Sequence, residues 1–198
     1  TATGSNGCTG TDTVRVTVDG MAPTITCPPN ITLNAGLGTC AEIANYTPPV
    51  GTDNCPGATT VQTAGLASGA SFPVGTTTIT YRVTDSQANT ATCSFTVSVS
   101  DLENPAITCP ADTTIGNAPG QCSATLSYVL PSASDNCPGV TVTSTSGPIS
   151  GSTLPIGNYT VIFRATDASG NTAVCARNFI VADLESPVAT CPGNVTVN

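Results

Sequence analysis

Residues 76–99 carry the sequence TTTITYRVTDSQANTATCSFTVSV, and this stretch decides the fold. Its first run alternates Ile79, Tyr81 and Val83 with Thr and Arg, and its second run alternates again from Thr90. The residues between the runs, 85–89, are of the kind that form turns. A strand with one apolar and one polar face is typical of an antiparallel sheet that covers a core on one side. The stretch therefore predicts a long β-hairpin.

The hairpin occurs twice because the chain repeats itself with a period of 82 residues. Four cysteines carry the period without a slip, since Cys27, Cys40, Cys55 and Cys93 recur as Cys109, Cys122, Cys137 and Cys175. An ungapped period predicts a tandem array of one module. The predicted domains are a C-terminal hairpin of a preceding, different β module at 1–20, a first repeat at 21–102, a second repeat at 103–184, and the first strand of an incomplete third repeat at 185–198.

Each repeat contains about seven short runs rich in Thr and Val, bounded by Gly, Pro, Asn and Asp. Strands at this spacing predict an all-β fold of tandem immunoglobulin-like β-sandwiches. The linkers 101–105 and 183–187 lack a Gly/Ser tract. We therefore expect the modules to be joined end to end by short, rigid linkers. Within residues 1–20, the alternating segment Thr13–Val18 predicts one further strand, and Cys8 does not follow the period.

The composition excludes several classes of partner. The 198 residues include four Arg, no Lys and no His against twelve acidic residues, for a net charge of -8. Such a charge argues against nucleic acid and against anionic membrane surfaces. There is no apolar run of about 18 residues, so we expect no membrane insertion by this segment. Ten cysteines indicate an oxidising compartment, secreted or at the cell surface, and the absence of a signal peptide indicates a truncated longer chain.

The modules resemble the hyalin repeat, an immunoglobulin-like extracellular module. The resemblance rests on ITCP at 25–28, TDNC at 52–55, FPVGTTT at 72–78 and YRVTDSQANTATCSF at 81–95. The second repeat has the same strings, and Leu154–Gly157 and Arg177 depart mildly from them. The resemblance implies an adhesion or structural role in a multi-module extracellular chain, without catalytic activity.

Four cysteines in each module allow three pairings, and sequence alone does not choose among them. In a sandwich the first and last strands lie side by side, which favours a bond between the first and last cysteine. The resemblance supports this bond, because family members often keep only that pair. The middle two then pair by elimination and close a loop of about 15 residues. The predicted pairs are Cys27–Cys93, Cys109–Cys175, Cys40–Cys55 and Cys122–Cys137.

Two cysteines remain after these pairings. Cys8 and Cys191 are expected to have partners outside the segment, and bonds to another molecule are the second interpretation. Metal ligation is disfavoured because the chain has neither His nor a CxxC motif.

Nine of the twelve acidic residues lie in the linkers or in loops expected at one pole of a module. Gathered carboxylates repel one another unless a cation lies among them, and Ca²⁺ takes six to eight oxygen ligands. An alternative is that Asp and Asn only form turns by bonding their own backbone. The sequence leaves both interpretations open. The candidate Ca²⁺ ligands are Asp19, Asp53, Asn54, Asp85, Asp101, Glu103, Asp135, Asn136, Asp167, Asp183 and Glu185.

Four Asn-x-Thr triplets mark candidate glycosylation sites, although a Thr-rich chain also produces such triplets by chance. They begin at Asn30, Asn45, Asn158 and Asn194.

Catalysis is not expected from this sequence. Neither His nor Lys is present for acid–base chemistry, and carboxylates that recur in every module fit a structural role better than one active site. We therefore predict a non-catalytic structural segment of a multi-module cell-surface stalk or filament, stiffened by disulfides and Ca²⁺. Its partners would be neighbouring copies or modules of the same protein. The alternative is an adhesin module that recognises glycans or a protein receptor.

Overall fold

The computed structural model describes residues 2–3, 9–10, 19–191 and 193. These residues form strands, turns and irregular segments, so the predicted all-β class is confirmed. A helix capable of crossing a bilayer is absent from the described ranges.

Two compact units make up the chain: residues 1–33 with 43–99, and residues 34–42 with 100–198. The division follows the predicted repeats except for residues 34–42 and 100–102, which belong to the first repeat by sequence and to the second unit by contact. Near the N-terminus, β1 (Ala2–Thr3) pairs antiparallel with β2 (Thr9–Gly10). The predicted strand Thr13–Val18 and Cys8 lie outside the described residues.

Every strand of the first repeat recurs in the second at the same 82-residue shift. The first repeat has β3 (Ile31–Asn34), β4 (Ala41–Ile43), β5 (Thr59–Ala64), β6 (Ser71–Pro73), β7 (Gly75–Thr84) and β8 (Thr90–Ser100). The second has β9 (Ala106–Thr108), β10 (Thr113–Gly116), β11 (Ser123–Thr125), β12 (Ser132–Ser134), β13 (Thr141–Ser146), β14 (Thr153–Pro155), β15 (Gly157–Thr166) and β16 (Thr172–Ala182).

The main sheet has the same four-stranded order in both repeats, β3-β8-β7-β5 and β10-β16-β15-β13. Its centre is the predicted hairpin, in which β7 pairs with β8 and β15 with β16 over ten residue pairs each. The strand that opens the second repeat's sheet, β10, runs parallel to β16. Because first and last strands are neighbours, Cys27–Cys93 and Cys109–Cys175 form as expected.

The second layer of the sandwich is made of short strands. In the second unit, β9 pairs with β12 and β11 pairs with β14, all antiparallel. Ile107 of β9 and Leu154 of β14 pack against a buried cluster that includes Phe163 of the main sheet. Apolar faces of two sheets therefore enclose each core, which is the immunoglobulin-like arrangement that the alternation predicted.

The core of the first unit lies along the hairpin. Ile79, Val83 and Val97 are fully buried, and Phe95 and Tyr81 are at most 5% exposed. Burial of such side chains contributes about 1.5–3 kcal/mol each. The alternation in residues 76–99 therefore identified the core-facing residues correctly.

The second core reaches the same packing with different side chains. Several core positions differ between the repeats, including Ala44 to Leu126, Phe72 to Leu154, Ile79 to Val161, Val83 to Ala165, Phe95 to Arg177 and Val97 to Phe179. Some of these side chains become larger and others become smaller, and a core can accommodate several such hydrophobic changes made together. Arg177 leaves the core and its guanidinium lies 4.7 Å from the Phe179 ring centre, so the departure from the family pattern does not disturb the fold.

Candidate functional site

The second unit contains a cluster of oxygen atoms built around the linker residue Asp101, which is only 4% exposed. Its Oδ1 accepts hydrogen bonds from Glu103 N at 3.1 Å and from Asn136 Nδ2 at 3.4 Å. Its backbone carbonyl accepts from Asn171 Nδ2 at 3.1 Å. Asp101 is therefore held in one orientation by its own linker and by two loops.

The loop that contains Asp135 brings further oxygens to Asp101. Asp135 Oδ2 accepts from the backbone N–H of Cys137 at 3.0 Å, which forms a tight Asx turn. Asn136 Nδ2 donates to Thr39 O at 2.8 Å, and this bond fixes the orientation of the amide. One ligand atom each from Asp101, Asp135 and Cys137 lies within 4.8 Å of the others.

Three oxygens of this cluster are buried and have no hydrogen-bond partner: Asp101 Oδ2, Asp135 Oδ1 and Asn136 Oδ1. A buried carboxylate oxygen without a partner is costly, because it loses water and gains nothing in return. Carboxylate and amide oxygens are the ligands that Ca²⁺ prefers. The residues therefore fit a hard divalent cation, and Cys137 does not compete as a thiolate because its sulfur is in a disulfide.

The first unit repeats the cluster with Asp19, Asp53 and Cys55. Asp19 Oδ2 and Asp53 Oδ1 are again buried without partners, and Asp53 Oδ2 again accepts from the cysteine N–H at 3.0 Å. The backbone N–H of Met21 is the main cause that lowers the pKa of Asp19. A hydrogen bond to Asp19, with burial and carboxylate charge, raises the pKa of the Cys55 thiol. The cluster thus concentrates negative charge.

Asp85 and Asp167, two more of the predicted ligands, are fully engaged in their own turns. Asp85 Oδ1 accepts from Gln87 N and Asn89 N, both at 2.8 Å, and its Oδ2 accepts from Asn89 Nδ2. Asp167 makes the equivalent bonds. Burial opposes ionisation of Asp167, yet these hydrogen bonds lower its pKa overall. The turn-forming interpretation describes both residues.

The linker glutamates accept hydrogen bonds from the backbone of glycine turns. Glu103 Oε2 accepts a hydrogen bond from Gly38 N at 2.8 Å, and Glu185 accepts from Gly120 N at 3.0 Å. Asp183 Oδ1 accepts from Glu185 N at 3.0 Å, as Asp101 does from Glu103. In each Asp-Leu-Glu linker, the Asp carboxylate therefore orients the Glu backbone, and the Glu carboxylate binds the backbone N–H of a glycine turn.

The glycine turns present the second cysteine of each repeat, and the structure corrects the predicted pairing of that cysteine. Cys40 bonds Cys137, 97 residues later, instead of Cys55. Cys122 likewise does not bond Cys137, and among the described cysteines Cys55, Cys122 and Cys191 are free. The disulfide thus joins the glycine turn of the first repeat to the Asp-Asn-Cys loop of the second repeat, and it lies within the second unit.

Strand length explains why the pairing within one repeat fails. The turn before Cys122 bonds the end of β16, through Asn117 N to Ala182 O at 3.0 Å. The loop of Cys137 lies beside Asp101, which bonds Asn171 at the start of β16. An eleven-residue strand separates these two places, roughly 35 Å at about 3.3 Å per residue. A disulfide needs Cα atoms within about 7 Å.

Sequence reasoning missed this bond because four cysteines per repeat were assumed to pair inside the repeat. The available signal was the position of the cysteines relative to the strands. Cys122 follows the turn that bonds the end of β16, whereas the loop of Cys137 lies beside Asp101, which bonds Asn171 at the start of β16, so the two cysteines lie at opposite ends of the sandwich. When a repeated module has one such cysteine at each end, the end of one repeat can meet the start of the next, as Cys40 and Cys137 do.

Three of the predicted glycosylation positions, Asn30, Asn45 and Asn158, have exposed side chains. Asn30 Oδ1 accepts from Thr96 N at 2.9 Å and so also has a structural use. Asn194 lies outside the described residues.

Comparison with known proteins agrees with this architecture. The model of the HYR domain family matches residues 18–99 and 100–183. Hyalin of Strongylocentrotus purpuratus is 34% identical over 188 residues, covering 91% of this chain and 15% of hyalin. The serine-rich adhesin for platelets of Staphylococcus aureus strain MRSA252 is 32% identical over 177 residues, covering 77% of this chain and 12% of the adhesin. The chain thus spans less than a fifth of either relative.

Among solved structures, the crystal structure of Drosophila N-cadherin EC1-3 aligns with a TM-score of 0.42 at 10% identity, covering 78% of this chain and 64% of that one. This likeness is too low to carry an argument about function. The family of this chain is therefore assigned from the domain-family match and from the similar relatives. The chain belongs to the HYR domain family, as two tandem immunoglobulin-like modules of the extracellular, adhesion-related and non-enzymatic kind.

Proposed function

We propose that the chain is a structural spacer of a cell-surface stalk or filament, and that each of its modules holds one Ca²⁺ at its acidic cluster. The observation that carries the proposal is the set of three buried oxygens without partners at Asp101, Asp135 and Asn136. A cation would compensate the charge of the two carboxylates and give all three oxygens a partner. The proposed ligand set is smaller than the one expected from sequence, because it is limited to residues with a buried oxygen that has no partner, and Asp85, Asp167 and both linker glutamates are not among them.

The matching cluster in the first unit supports a device that serves every module. Asp19 and Asp53 occupy the positions of Asp101 and Asp135 one period earlier, and each again has one buried oxygen without a partner. A ligand site repeated in register suits a spacer, in which every module must be equally stable. It suits a single recognition site less well.

The distribution of aromatic rings favours the spacer over a glycan-binding module. Sugar-binding sites normally present an exposed aromatic face, because CH groups of the sugar stack on it. All four Phe and all four Tyr of this chain are buried or half-buried, and Trp is absent. Receptor recognition is the second candidate function, because the staphylococcal relative is an adhesin for platelets. Binding of this chain to platelets or to a glycan array would favour that function.

Calorimetric titration of the oxidised chain with Ca²⁺ tests the proposal. We expect saturable binding, and at 100 times the dissociation constant about 2.7 kcal/mol of added stability per site. Asp101→Asn and Asp135→Asn should each abolish binding in the second unit. Thermal unfolding curves that superimpose in Ca²⁺ and in excess EDTA would contradict the calcium site.

Asp183→Asn provides the matched control. Asp183 stands at the same place in the period as Asp101 and makes the same bond to the backbone two residues on, but its side chain is exposed and belongs to no described cluster. The variant should bind Ca²⁺ like the unmodified chain. Equal loss of binding in both variants would point to a general effect of charge and not to ligation.

A further inference from the structure

We propose that the free cysteines Cys55 and Cys122 are the two unpaired halves of the same cross-repeat disulfide that Cys40 and Cys137 form, and that each takes its partner from another HYR-type module. Cys122 would bond the cysteine of an Asp-Asn-Cys loop. Cys55 would bond the cysteine of a Gly-x-Gly-x-Cys turn or its equivalent. The proposal concerns a bond and not the calcium site, and each can fail without the other.

The half that carries Cys122 has the same local structure as the half that carries Cys40. Gly38 and Gly120 have φ angles of 70° and 68°, and a linker glutamate accepts the N–H of each. The turn bond from Thr39 N to Gly36 O is 3.0 Å, and its equivalent from Gln121 N to Ala118 O is 2.9 Å. Cys122 is exposed, so its thiol is already presented in the way that Cys40 is presented to Cys137.

The half that carries Cys55 has the same local structure as the half that carries Cys137. Both cysteine N–H groups donate to an Asp two residues earlier at 3.0 Å. Both loops end in a glycine with a left-handed φ, 108° at Gly57 and 110° at Gly139. Asn54 Nδ2 lies 3.3 Å from Cys55 Sγ, and Asn136 Nδ2 lies 3.7 Å from Cys137 Sγ.

The loops of Cys55 and Cys137 differ in what lies next to the cysteine Sγ atom. Next to Cys137 lies the turn 36–40, which is bound through the Cys40–Cys137 disulfide and through the hydrogen bond from Asn136 to Thr39 O. At Cys55 the surface opens into a cavity of about 510 Å³, which Cys55, Asn54 and Met21 help to line. Asn54 is the counterpart of Asn136, whose Nδ2 donates to Thr39 O. Among the described residues Asn54 Nδ2 donates only to Asp19 and Cys55, so it can also donate to a turn that binds at Cys55.

The bond would form by thiol–disulfide exchange. A low-molecular-weight disulfide first accepts the Cys122 thiolate, forming a mixed disulfide and releasing one small thiol. The partner thiolate then attacks the Cys122 sulfur and releases the second small thiol. Two protein thiols are oxidised, one small disulfide is reduced, and both protons pass to the released thiols.

A lengthened chain tests the proposal directly. A second copy of residues 101–182 is inserted after Ala182, so that the period continues in register with a third complete repeat. The chain is refolded in glutathione redox buffer, free thiols are alkylated, and disulfides are mapped by mass spectrometry. We expect a bond from Cys122 to the inserted copy of Cys137, with Cys55 alkylated. The control carries Ser in place of the inserted copy of Cys137, and Cys122 should then be alkylated.

The unmodified chain at high concentration in the same buffer distinguishes the source of the partner. Covalent dimers linked through Cys122 and Cys55 would show that a second copy supplies the partner cysteine. If instead the unmodified chain stays monomeric while Cys122 is bonded in the lengthened chain, the next module of the same chain supplies it. The proposal is overturned if Cys122 is alkylated in the lengthened chain and the unmodified chain forms no Cys122–Cys55 bond. Bonding of Cys122 to Cys137 of its own repeat would overturn it equally.

Discussion

The Glu103 carboxylate accepts a hydrogen bond at 2.8 Å from the backbone N–H of Gly38, which lies 65 residues earlier in the chain. Gly38 has a φ of 70°, a conformation that favours glycine, and the turn it forms leads to Cys40. Cys40 in turn bonds Cys137. A charged linker residue and a disulfide therefore hold the same turn from two sides, which explains why residues 34–42 cluster with the second unit.

Glu103→Ala should loosen this turn. A hydrogen bond to a charged acceptor contributes about 1.5–3 kcal/mol when well shielded, and Glu103 is half-buried, so we expect a loss near 1 kcal/mol. We also expect faster reduction of Cys40–Cys137 by dithiothreitol, because the turn that shields it becomes mobile. Urea unfolding and timed alkylation would measure both effects.

Glu185→Ala is the companion variant, since Glu185 holds the turn of the unpaired Cys122. It should cost a similar amount of stability and leave the reduction rate of Cys40–Cys137 unchanged. If both variants accelerated that reduction equally, the Glu103 contact would not be its cause.

Removing the cross-repeat disulfide should strongly destabilise the second unit. The double variant Cys40→Ser/Cys137→Ser opens a loop with a separation of 97 residues. The chain-entropy model gives about 4.7 kcal/mol for a loop near that size, as an upper value. Calorimetry under non-reducing conditions would measure the change. Cys122→Ser is the control, because that thiol is unbonded, and a comparable loss in the control would contradict the assignment.

Much of the fold could be predicted because it depends on local patterns that the period repeats. The alternation of Ile79, Tyr81 and Val83 gave the buried face of β7 correctly. The topology of first and last strands gave Cys27–Cys93. Compensating changes such as Phe95 to Arg177 could not be predicted, since they depend on which neighbours fill the vacated volume.

Which of the candidate residues lie together could be predicted only in part from the sequence, because it depends on long-range contacts. Asp101, Asp135 and Asn136 were correctly expected to come together. Residue type alone did not separate them from Asp167 or Glu103, whose oxygens bond backbone N–H groups. The Cys40–Cys137 bond was missed for the same reason, since it requires knowing which end of the sandwich each cysteine occupies.

Gly147→Ala should be among the most damaging small substitutions in the second unit. Gly147 follows β13 with a φ of 92°, and an added Cβ would overlap the carbonyl oxygen of Thr160 on the neighbouring strand. The left-handed conformation costs about 1–2 kcal/mol, and overpacking against backbone adds about 1–3 kcal/mol. Gly151→Ala separates the two effects, because its φ is 96° but nothing lies within 4 Å of the added Cβ. Urea unfolding should show a clearly larger loss for Gly147→Ala, and equal losses would contradict the overlap.

Asp112 should make the stability of the second unit depend on acid pH. Its Oδ1 accepts from the backbone N–H of Asn178 at 2.8 Å, and this bond is the main cause that lowers the pKa of Asp112. Because the pKa is lower in the folded state, the ionised carboxylate stabilises the fold above the unfolded value near 3.9. That contribution is lost as pH falls through the lowered folded pKa.

Replacing the carboxylate by an amide should remove this pH dependence. The first repeat has Asn30 at the same position, and its Oδ1 makes the same bond to Thr96 N at 2.9 Å, so Asp112→Asn should keep the fold. The difference in free energy of unfolding between the unmodified chain and Asp112→Asn should be present at pH 7 and shrink towards pH 2. The reciprocal variant, Asn30→Asp, should introduce the same dependence in the first unit. Carboxyl NMR titration would follow both groups, and an Asp112 carboxyl that titrates at the unfolded value would contradict the role of the Asn178 bond.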